Sequence, residues 1–402
     1  MHGAETTLFL VVLGTVAVAA PLSGPAATSR AITWLRSIRW PVVVYCCSRL
    51  ALLLVAGLDG LITHRSFGAE LSLFDGQWYL RVASHGYPAQ ALHAKSTLGF
   101  LPLYPLAIRG LAGVRSWPPV AAALLISFTG GLAAAVLVRR LAAIWWGEAT
   151  ARRAVLLFCL FPGSVVFSMV YSECLTLPLV LGCLLALRSQ RWLVAGLLAG
   201  LASAVEPAAV ILFPVCLVVA WRQVRATSWR DPAARRSLLA PLLAPSGLAI
   251  FAVYLWIHTG TPLASYEAQH YGWHQGDPLA LLSQPTAEQL TDTPGMVFGY
   301  LRNLSLWNGL LGSVFLVAAL VALRRVRDEL TPGVLLWTCG VGVMTVWSVM
   351  SLTNARMLLI AFPAVIVWAR VLPGRRYALF LGAEAALFLL ASALTLAGIM
   401  LP

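Results

Sequence analysis

The chain has 402 residues, of which 60% are hydrophobic and 11% are charged, and its mean hydropathy is +0.83. This composition excludes a soluble globular protein and predicts a polytopic, all-α membrane protein. The formal net charge of +13 does not indicate a nucleic-acid partner, because the cytoplasmic loops of membrane proteins accumulate arginine. The partners expected from composition are therefore membrane lipids.

Apolar runs that are long enough to cross a membrane, some only with tilt or broken-helix packing, follow one another along the chain. They fall near residues 5–21, 40–58, 117–138, 154–171, 174–187, 193–206, 207–221, 238–257, 304–323, 333–350, 356–371 and 377–400. This pattern predicts about twelve transmembrane helices. No soluble domain interrupts them, so residues 1–402 are predicted to form one integral-membrane domain.

Arginine is concentrated in every second loop between these runs. Examples are Arg36, Arg39, Arg139, Arg140, Arg235 and Arg236. The positive-inside rule places these loops in the cytoplasm and the alternate loops outside. The two longest outer loops, residues 59–116 and 258–303, are partly apolar, which predicts re-entrant or surface-lying helices. The segment FLPLYPLAIR at 100–109 is one, because its prolines break a regular span.

The first outer loop contains the segment FDGQWYLRVASHGYP at residues 74–88. Its acidic residue, Asp75, precedes an amphipathic helical pattern with Trp78 and Tyr79 on the apolar side. Two interpretations are open: Asp75 caps a helix that begins at Gly76, or it is a general base held near an acceptor hydroxyl. ATP and sugar nucleotides are absent outside the cytoplasm, so a reaction in this loop needs an activated, membrane-anchored substrate.

Arg356 lies in a short outer loop, against the positive-inside trend. Either its side chain snorkels to lipid headgroups, or it binds the phosphate of a lipid-linked substrate, for which a planar guanidinium is suited. Arg81, Lys95 and Arg109 are further outer-side cations close to Asp75 in sequence. We predict phosphate contacts for these three side chains as well.

Polar residues at three other places are candidates for substrate contact or for structural pairing. Tyr171–Ser172–Glu173 forms a tight outer turn. The segment YEAQHYGWH at 266–274 mixes aromatic rings with Gln and His, as an interface belt or a sugar site does. Arg49 and Glu206 lie inside apolar runs, where a charge costs about 2.5–3.5 kcal/mol, so each needs a cavity or a partner.

Five segments resemble those of the PIG-V-like mannosyltransferases, relatives of the second mannosyltransferase of GPI-anchor synthesis, which have the GT-C fold. They are FDGQWYLRVASHGYP (74–88), FLPLYPLAIR (100–109), SMVYSECL (168–175), EAQHYGW (267–273) and NARMLLIAFP (354–363). The segments occur in the family's order across roughly residues 40–370. On this resemblance the chain is identified as a bacterial-type member of the family.

The resemblance implies transfer of mannose from a polyprenyl-phosphate donor on the extracytoplasmic face of the cell membrane. Asp75 matches the family's first-loop acid, Arg356 a basic residue before the Phe-Pro segment, and Glu173 the Tyr-Ser-Glu element. Further substrate or acceptor contacts are assigned to polar side chains of the same motifs. These are Gln77, Tyr79, His85, Tyr87, Tyr171, Glu173, Glu267, Gln269, His270 and Asn354.

The chain departs from the family pattern at three positions. Phe74 stands where the family usually has Trp, and Met357 stands where it usually has Tyr after the arginine. Glu206 stands where the family usually has Arg before proline, which reverses a charge. No Asp-X-Asp pair is present and the seven cysteines lack metal-ligand spacing, so we expect neither a metal nor another cofactor.

A single base and a good leaving group predict direct displacement with inversion at the anomeric carbon. The acceptor stays open between a glycolipid, a cell-envelope glycan and a protein, and the sugar between mannose, arabinose and glucose. A transporter or lipid flippase that uses Arg49, Glu206 and Glu384 is the alternative class. The concentration of polar residues in outer loops rather than at the midplane favours the transferase.

Overall fold

The computed structural model describes residues 27–272, 293–347 and 354–400. Within these ranges every regular element is helical, as the composition predicts. The predicted span at 5–21 and residues 273–292 of the second outer loop lie outside the described residues. One large apolar cluster runs from Val44 to Leu396 and is the main core, while a second, smaller cluster contains Leu98, Leu101, Phe251, Leu255 and Ala264.

The α-helices follow in chain order. They are α1 Ala27–Thr63, α2 Phe67–Glu70, α3 Asp75–His85, α4 Leu103–Arg115, α5 Pro119–Leu160, α6 Glu173–Arg188, α7 Trp192–Ser203, α8 Leu212–Ala226, α9 Pro232–Ser237, α10 Leu239–Leu243, α11 Ser246–Thr259, α12 Ala264–Glu267, α13 Thr293–Arg325, α14 Pro332–Trp347, α15 Ala355–Ile360, α16 Phe362–Ile366, α17 Trp368–Val371 and α18 Gly374–Leu396. Short 3-10 turns occupy Thr97–Gly99, Pro162–Ser168, Pro207–Ile211 and Arg327–Glu329, and a π-helical turn occupies Ala268–Gly272.

Five stretches among the described residues are long and apolar enough to cross a membrane. They are Ile38–Thr63, Pro119–Leu160, Pro207–Ala226, Ala234–Thr259 and Gly374–Leu396. Pro162–Ser168 and Glu173–Arg188 count as a sixth if they form one broken span, since they meet at 107°. The predicted count of about twelve is not confirmed, because several apolar runs form helices shorter than the ~20 residues that a span requires.

The first outer loop is helical, with α3 and α4 packed on each other and on α5. The segment at 100–109 contributes the start of α4, which buries Tyr104 and Ile108 completely. A helix is thus present over most of this segment, while its re-entrant or surface-lying position stays a prediction. This helix supports α3, on which Asp75 lies.

Arg49 stabilises the break between α5 and α6. Its guanidinium donates hydrogen bonds to the carbonyl oxygens of Cys159 (2.9 Å) and Ser164 and to the Ser164 hydroxyl (3.0 Å). Carbonyl oxygens at the end of a helix have no intrahelical N–H donor. The buried Arg49 side chain supplies donors to the carbonyl oxygens that are left without one at this break. Arg49 therefore has a structural partner, which is one of the two accounts predicted for it.

Gly163, in the same break, lies against the backbone of α15. A side chain at Gly163 would collide with the carbonyl group of Ala355. The absence of a side chain thus brings the start of α15 against the turn that precedes α6. This close approach places Arg356 near the Tyr171–Glu173 turn.

Candidate active site

Asp75 is the first residue of α3. The N-cap position is occupied by Phe74, which makes no side-chain cap and has φ 56° and ψ −119°, a conformation that is rare for a residue with a side chain. The alternative in which Asp75 caps a helix starting at Gly76 is therefore wrong. Gly76 packs against Val170, where an added Cβ would lie 3.2 Å from the Val170 side chain, and this contact fixes the helix start.

The Asp75 side chain forms an ion pair with Arg356. The distance between Arg356 Nη1 and Asp75 Oδ2 is 2.5 Å, and Arg356 Nε lies 3.2 Å from Glu173 Oε1. The side chain of Glu173 is only 3% exposed, against 26% for Asp75 and 19% for Arg356. The guanidinium carbon lies 5.1 Å from the centre of the Tyr171 ring. Four predicted site residues are thus brought together.

Asn354 fixes the helix that carries Arg356. Its side-chain oxygen accepts a hydrogen bond of 2.9 Å from the backbone N–H of Met357, which is a standard N-cap of α15. Asn354 is 6% exposed. The structure therefore gives this residue a positioning function, while its predicted contact with substrate stays a prediction.

Glu206 also belongs to this site, although the sequence analysis did not assign it there. Its Oε2 accepts a hydrogen bond of 2.9 Å from the Ser172 hydroxyl, which in turn accepts one of 2.8 Å from Tyr79. Glu206 precedes the 3-10 turn at Pro207–Ile211 and lies within electrostatic range of Asp75 and Arg356. The one feature of the sequence that distinguished this position was the glutamate itself, which stands where the family usually has arginine.

We call Asp75, Glu173 and Glu206, together with Arg356, the carboxylate cluster. Burial raises the pKa of Glu206, since the charged carboxylate loses solvation. Burial alone would lower the pKa of Arg356, but the neighbouring carboxylates raise it well above its ordinary value. Arg356 therefore stays charged, and it holds the Asp75 carboxylate in one orientation.

An apolar cavity of about 480 Å³ lies between α3, α4, α7 and α11. Its walls include Val82, Leu106, Leu201 and Ile250. Arg109 contributes the cavity's cationic side chain. A cavity with this lining suits an apolar chain.

A second, polar pocket of about 510 Å³ adjoins the C-terminal end of α3. It brings together four of the predicted substrate residues, namely Arg81, His85, Tyr87 and Lys95. Arg81 lies over the ring of Trp78 at 5.1 Å. The pocket shares Gly86 and Tyr87 with the apolar cavity, so the two spaces are neighbours.

Glu267, Gln269 and His270 lie away from the carboxylate cluster. Glu267 Oε2 is 3.6 Å from His93 Nε2, and Gln269 donates a hydrogen bond to the carbonyl oxygen of Gly99. His270 stacks on Tyr266. These contacts hold the second outer loop against residues 93–99, which carry Lys95.

Gln77 is exposed on α3, and no hydrogen bond or ion pair ties it to the cluster within the described part of the chain. Among the described residues no group of three or more His, Cys, Asp and Glu side chains is arranged to hold a metal ion.

The transporter alternative places three charged residues in one path through the membrane. The surroundings of these residues differ from one another: Arg49 bonds to the break between α5 and α6, and Glu206 bonds to Ser172, whereas Glu384 is different again. Both carboxyl oxygens of Glu384 are buried without a partner among the described residues.

Comparisons with known proteins were made for both sequence and structure. Residues 28–224, close to half of the chain, match the family described as Mannosyltransferase (PIG-V). No match to a curated protein was found. The predicted family resemblance is confirmed over residues 28–224, while the bacterial type stays a prediction.

Solved structures of an archaeal oligosaccharyltransferase from Archaeoglobus fulgidus are similar. The apo form is 14% identical, with 90% of this chain and 56% of that chain covered and a TM-score of 0.47. The archaeal oligosaccharyltransferase AglB from Archaeoglobus fulgidus, in complex with an inhibitory peptide and a dolichol-phosphate, is 12% identical, with the same coverage and a TM-score of 0.46. The chain thus spans little more than half the length of these structures.

Proposed function

Because residues 28–224 belong to the PIG-V mannosyltransferase family, we propose that the chain is a membrane glycosyltransferase with a GT-C-type fold. In this proposal it moves mannose from a polyprenyl-phosphate-mannose donor to an acceptor hydroxyl. The observation that carries the proposal is the Asp75 carboxylate, held by Arg356 at the start of α3, the helix that also contributes to an apolar cavity and, at its other end, to a cationic pocket.

Asp75 is the general base of the reaction. It takes the proton of the acceptor hydroxyl while the hydroxyl oxygen forms a bond to the anomeric carbon. The bond between that carbon and the phosphate oxygen breaks, and the polyprenyl phosphate leaves with the electron pair. One carboxylate acting on one face gives inversion, since no glycosyl-enzyme intermediate is formed.

Cations stabilise the negative charge that develops on the leaving phosphate. Nη2 of Arg356 makes no hydrogen bond to the described residues, so it can bind a phosphate oxygen while Nη1 holds Asp75. Arg81 and Lys95 line the polar pocket at the other end of α3. Their positive charge attracts the anionic donor to this end of α3, whereas Arg356 is the cation beside the proposed base.

The lipid chain of the donor fits the apolar cavity between α3, α4, α7 and α11. The shared walls at Gly86 and Tyr87 join this cavity to the cationic pocket. An amphiphile with an anionic head matches this combination of surfaces. This arrangement supports a lipid-phosphate donor, while arabinose and glucose stay alternatives for the sugar.

The proposed location is the cell membrane, with the carboxylate cluster on the extracytoplasmic side. The alternation of arginine-rich loops supports this orientation. Single cysteines at the exposed positions Gln90 and Ser228, in a cysteine-free variant, distinguish the two sides. Labelling of position 228 rather than 90 by an impermeant maleimide would contradict the proposal.

The experiment for the activity uses membranes that contain the full chain and polyprenyl-phosphate-[14C]mannose. We expect label to move into a glycolipid, glycan or protein fraction, and the Asp75→Asn variant to abolish that transfer. The glycosylated product also reports the anomeric configuration, which we expect to be inverted. Equal transfer in membranes without the chain would contradict the proposed function.

A further inference from the structure

The polar pocket at the C-terminal end of α3 has an excess of positive charge. The exposed side chains of Arg81 and Lys95 line it, and no Asp or Glu of the described residues is among its walls. His85 adds an imidazole ring. Ser96 also lines the pocket, and its hydroxyl is buried without a hydrogen-bond partner among the described residues. This set of cations and hydroxyl suits an anion with several acceptor oxygens.

The wall that carries Lys95 is held in place by the second outer loop. Gly272 packs on the backbone of Ala94 and Lys95, where a side chain would collide with both residues. Glu267 of the same loop lies 3.6 Å from His93. Tertiary contacts therefore fix the backbone that carries this cation. A pocket whose walls are already ordered binds a ligand at a lower entropic cost.

The polar pocket is separate from the carboxylate cluster. Asp75 is the first residue of α3 and His85 is the last. With a rise of about 1.5 Å per residue, the backbones of these two residues are roughly 15 Å apart along the helix axis. A phosphate that binds Arg356 beside the base and a phosphate that binds at the pocket thus occupy different places.

The reaction proposed above changes the charge of its lipid phosphate. The donor is a phosphate diester with one negative charge, whereas the polyprenyl phosphate that leaves is a monoester with a charge of about −1.5 to −2 at pH 7. At the cluster, Arg356 already forms an ion pair with Asp75. At the pocket, Arg81 and Lys95 have no carboxylate beside them in the wall. The pocket therefore attracts the product more strongly than it attracts the donor.

The hydrocarbon chain of the product has a place next to this pocket. The apolar cavity that we propose for the lipid chain shares the walls Gly86 and Tyr87 with the polar pocket. Tyr87 is fixed in this wall, because its hydroxyl donates a hydrogen bond of 2.8 Å to the carbonyl oxygen of Phe100 and its own carbonyl oxygen lies 3.2 Å from Nε2 of His258. A lipid monoester can therefore place its chain in the cavity and its phosphate in the pocket.

We propose that the polar pocket is a binding site for a lipid phosphate monoester, and that it holds the polyprenyl phosphate released by transfer. Arg81 and Lys95 are its cationic contacts. The inference rests on the proposed function for the identity of this lipid as the leaving group. Because the chain of the bound product occupies the cavity that the next donor needs, the product inhibits transfer until it leaves.

The test compares two probes that share a chain and differ by one negative charge. Octyl phosphate is a monoester, and octyl methyl phosphate is a diester. Binding of each radiolabelled probe to the full chain in phosphatidylcholine nanodiscs is measured at pH 8 by equilibrium dialysis, with empty nanodiscs as the blank. One charge-assisted contact corresponds to about tenfold to 100-fold in affinity, and salt screens exposed cations, so we expect a preference of about tenfold for the monoester.

Lys95→Gln removes one cation of the pocket at an exposed position. We expect this variant to lose most of the preference for the monoester. Arg65→Gln is the matched control and should retain the preference, since Arg65 is exposed but lines neither the pocket nor the cavity. Equal affinity of the unmodified protein for the two probes would overturn the inference. So would a preference that both Lys95→Gln and Arg81→Gln leave intact. If the variants do not fold, the comparison of probes on the unmodified protein decides.

Inorganic phosphate distinguishes a lipid site from a site for the free anion. It carries a similar charge but has no chain to bury in the cavity. We therefore expect it to compete for bound octyl phosphate at least about 100-fold less strongly than unlabelled octyl phosphate does. Equal competition would show a site for phosphate alone and would overturn the proposal of a lipid site.

The binding measurements contain no sugar donor, so they are independent of transfer. A chain that transfers mannose but binds both probes equally has the proposed function without this product site. A chain that prefers the monoester but transfers no sugar has a lipid-phosphate site without the proposed activity. The two proposals can therefore fail separately.

Discussion

Asp75 and Arg356 are 281 positions apart in the chain, yet their side chains form an ion pair at 2.5 Å. The pair joins the first outer loop to the start of α15. It therefore makes the site depend on packing across most of the protein. The orientation of the proposed base is set by a residue that no local pattern associates with it.

The first prediction concerns Asp75→Asn. Asparagine keeps the shape of the side chain but cannot accept the acceptor proton at neutral pH, so we expect the rate of transfer to fall by about 10²–10⁴-fold. Donor binding should change little, because the cations of the polar pocket are retained. Turnover and detergent-extracted yield are measured together, and a folded variant with near-parental turnover would show that the base lies elsewhere.

The second prediction concerns Arg356→Ala, which leaves Glu173 buried without a charge partner. Removal of one partner from a buried pair costs about 3–5 kcal/mol, so we expect a large fall in the thermal unfolding midpoint. Arg356→Lys should recover only part of the loss, because an ammonium lacks the fork that reaches both Asp75 and Glu173.

The double variant Arg356→Ala with Glu173→Gln provides the control for this prediction. It should regain stability without regaining transfer, since the uncompensated charge is removed but the contact with Asp75 is not restored. Arg370→Ala removes an arginine whose partner, Glu329, is only partly buried. That variant should lose about 1 kcal/mol or less. Equal destabilisation by the two alanine variants would argue against the buried pair.

Sequence patterns located most helices and the amphipathic character of α3. Apolar periodicity is a local property, so the runs near 174–187 and 377–400 correspond closely to α6 and α18. The run at 356–371 instead forms three short helices, α15 to α17. Pro363 lacks a backbone N–H, and Ala361 before it has non-helical torsion angles, which ends α15 at this point.

The association of Glu206 with the site could not be predicted from spacing. It depends on the hydrogen bond from Ser172, which lies at a different break in the helical packing. The sequence indicated only that a charge inside an apolar run needs a partner. The identity of that partner is a property of the tertiary structure.

The third prediction concerns the pH dependence of stability at Glu206. The pKa of this carboxyl is raised above its ordinary value of 4.5 in the folded protein, chiefly by burial. The folded state therefore holds a proton that the unfolded state has released, and stability falls as the pH rises above 4.5. Glutamine has no proton to release, so Glu206→Gln should increase the unfolding midpoint more at pH 8 than at pH 5. If Glu206→Gln changes the unfolding midpoint by the same amount at pH 5 and at pH 8, this account is contradicted.

The fourth prediction concerns the apolar cavity. Ile250 lines it and is 70% exposed, so Ile250→Trp should fill the cavity without overpacking the core. We expect KM for a long-chain polyprenyl donor to rise by about tenfold, because a few buried methylene groups are displaced. Ile257→Trp, on the same helix and 82% exposed, does not line the cavity and is the control. The same KM for both variants would exclude this cavity as the lipid site.

The last prediction concerns the backbone at Phe74, immediately before the base. A φ of 56° with ψ −119° is unfavourable for any residue with a Cβ, and such strain costs about 1–3 kcal/mol. Glycine adopts this conformation freely, so Phe74→Gly should be more stable than Phe74→Ala, which keeps the strain and also loses the ring. In an ordinary helical position alanine would be the more stable of the two. Thermal unfolding midpoints of the two variants test the order, and a more stable alanine variant would show that the start of α3 is not strained. We expect Phe74→Gly also to lower turnover, because a freer backbone holds Asp75 less rigidly.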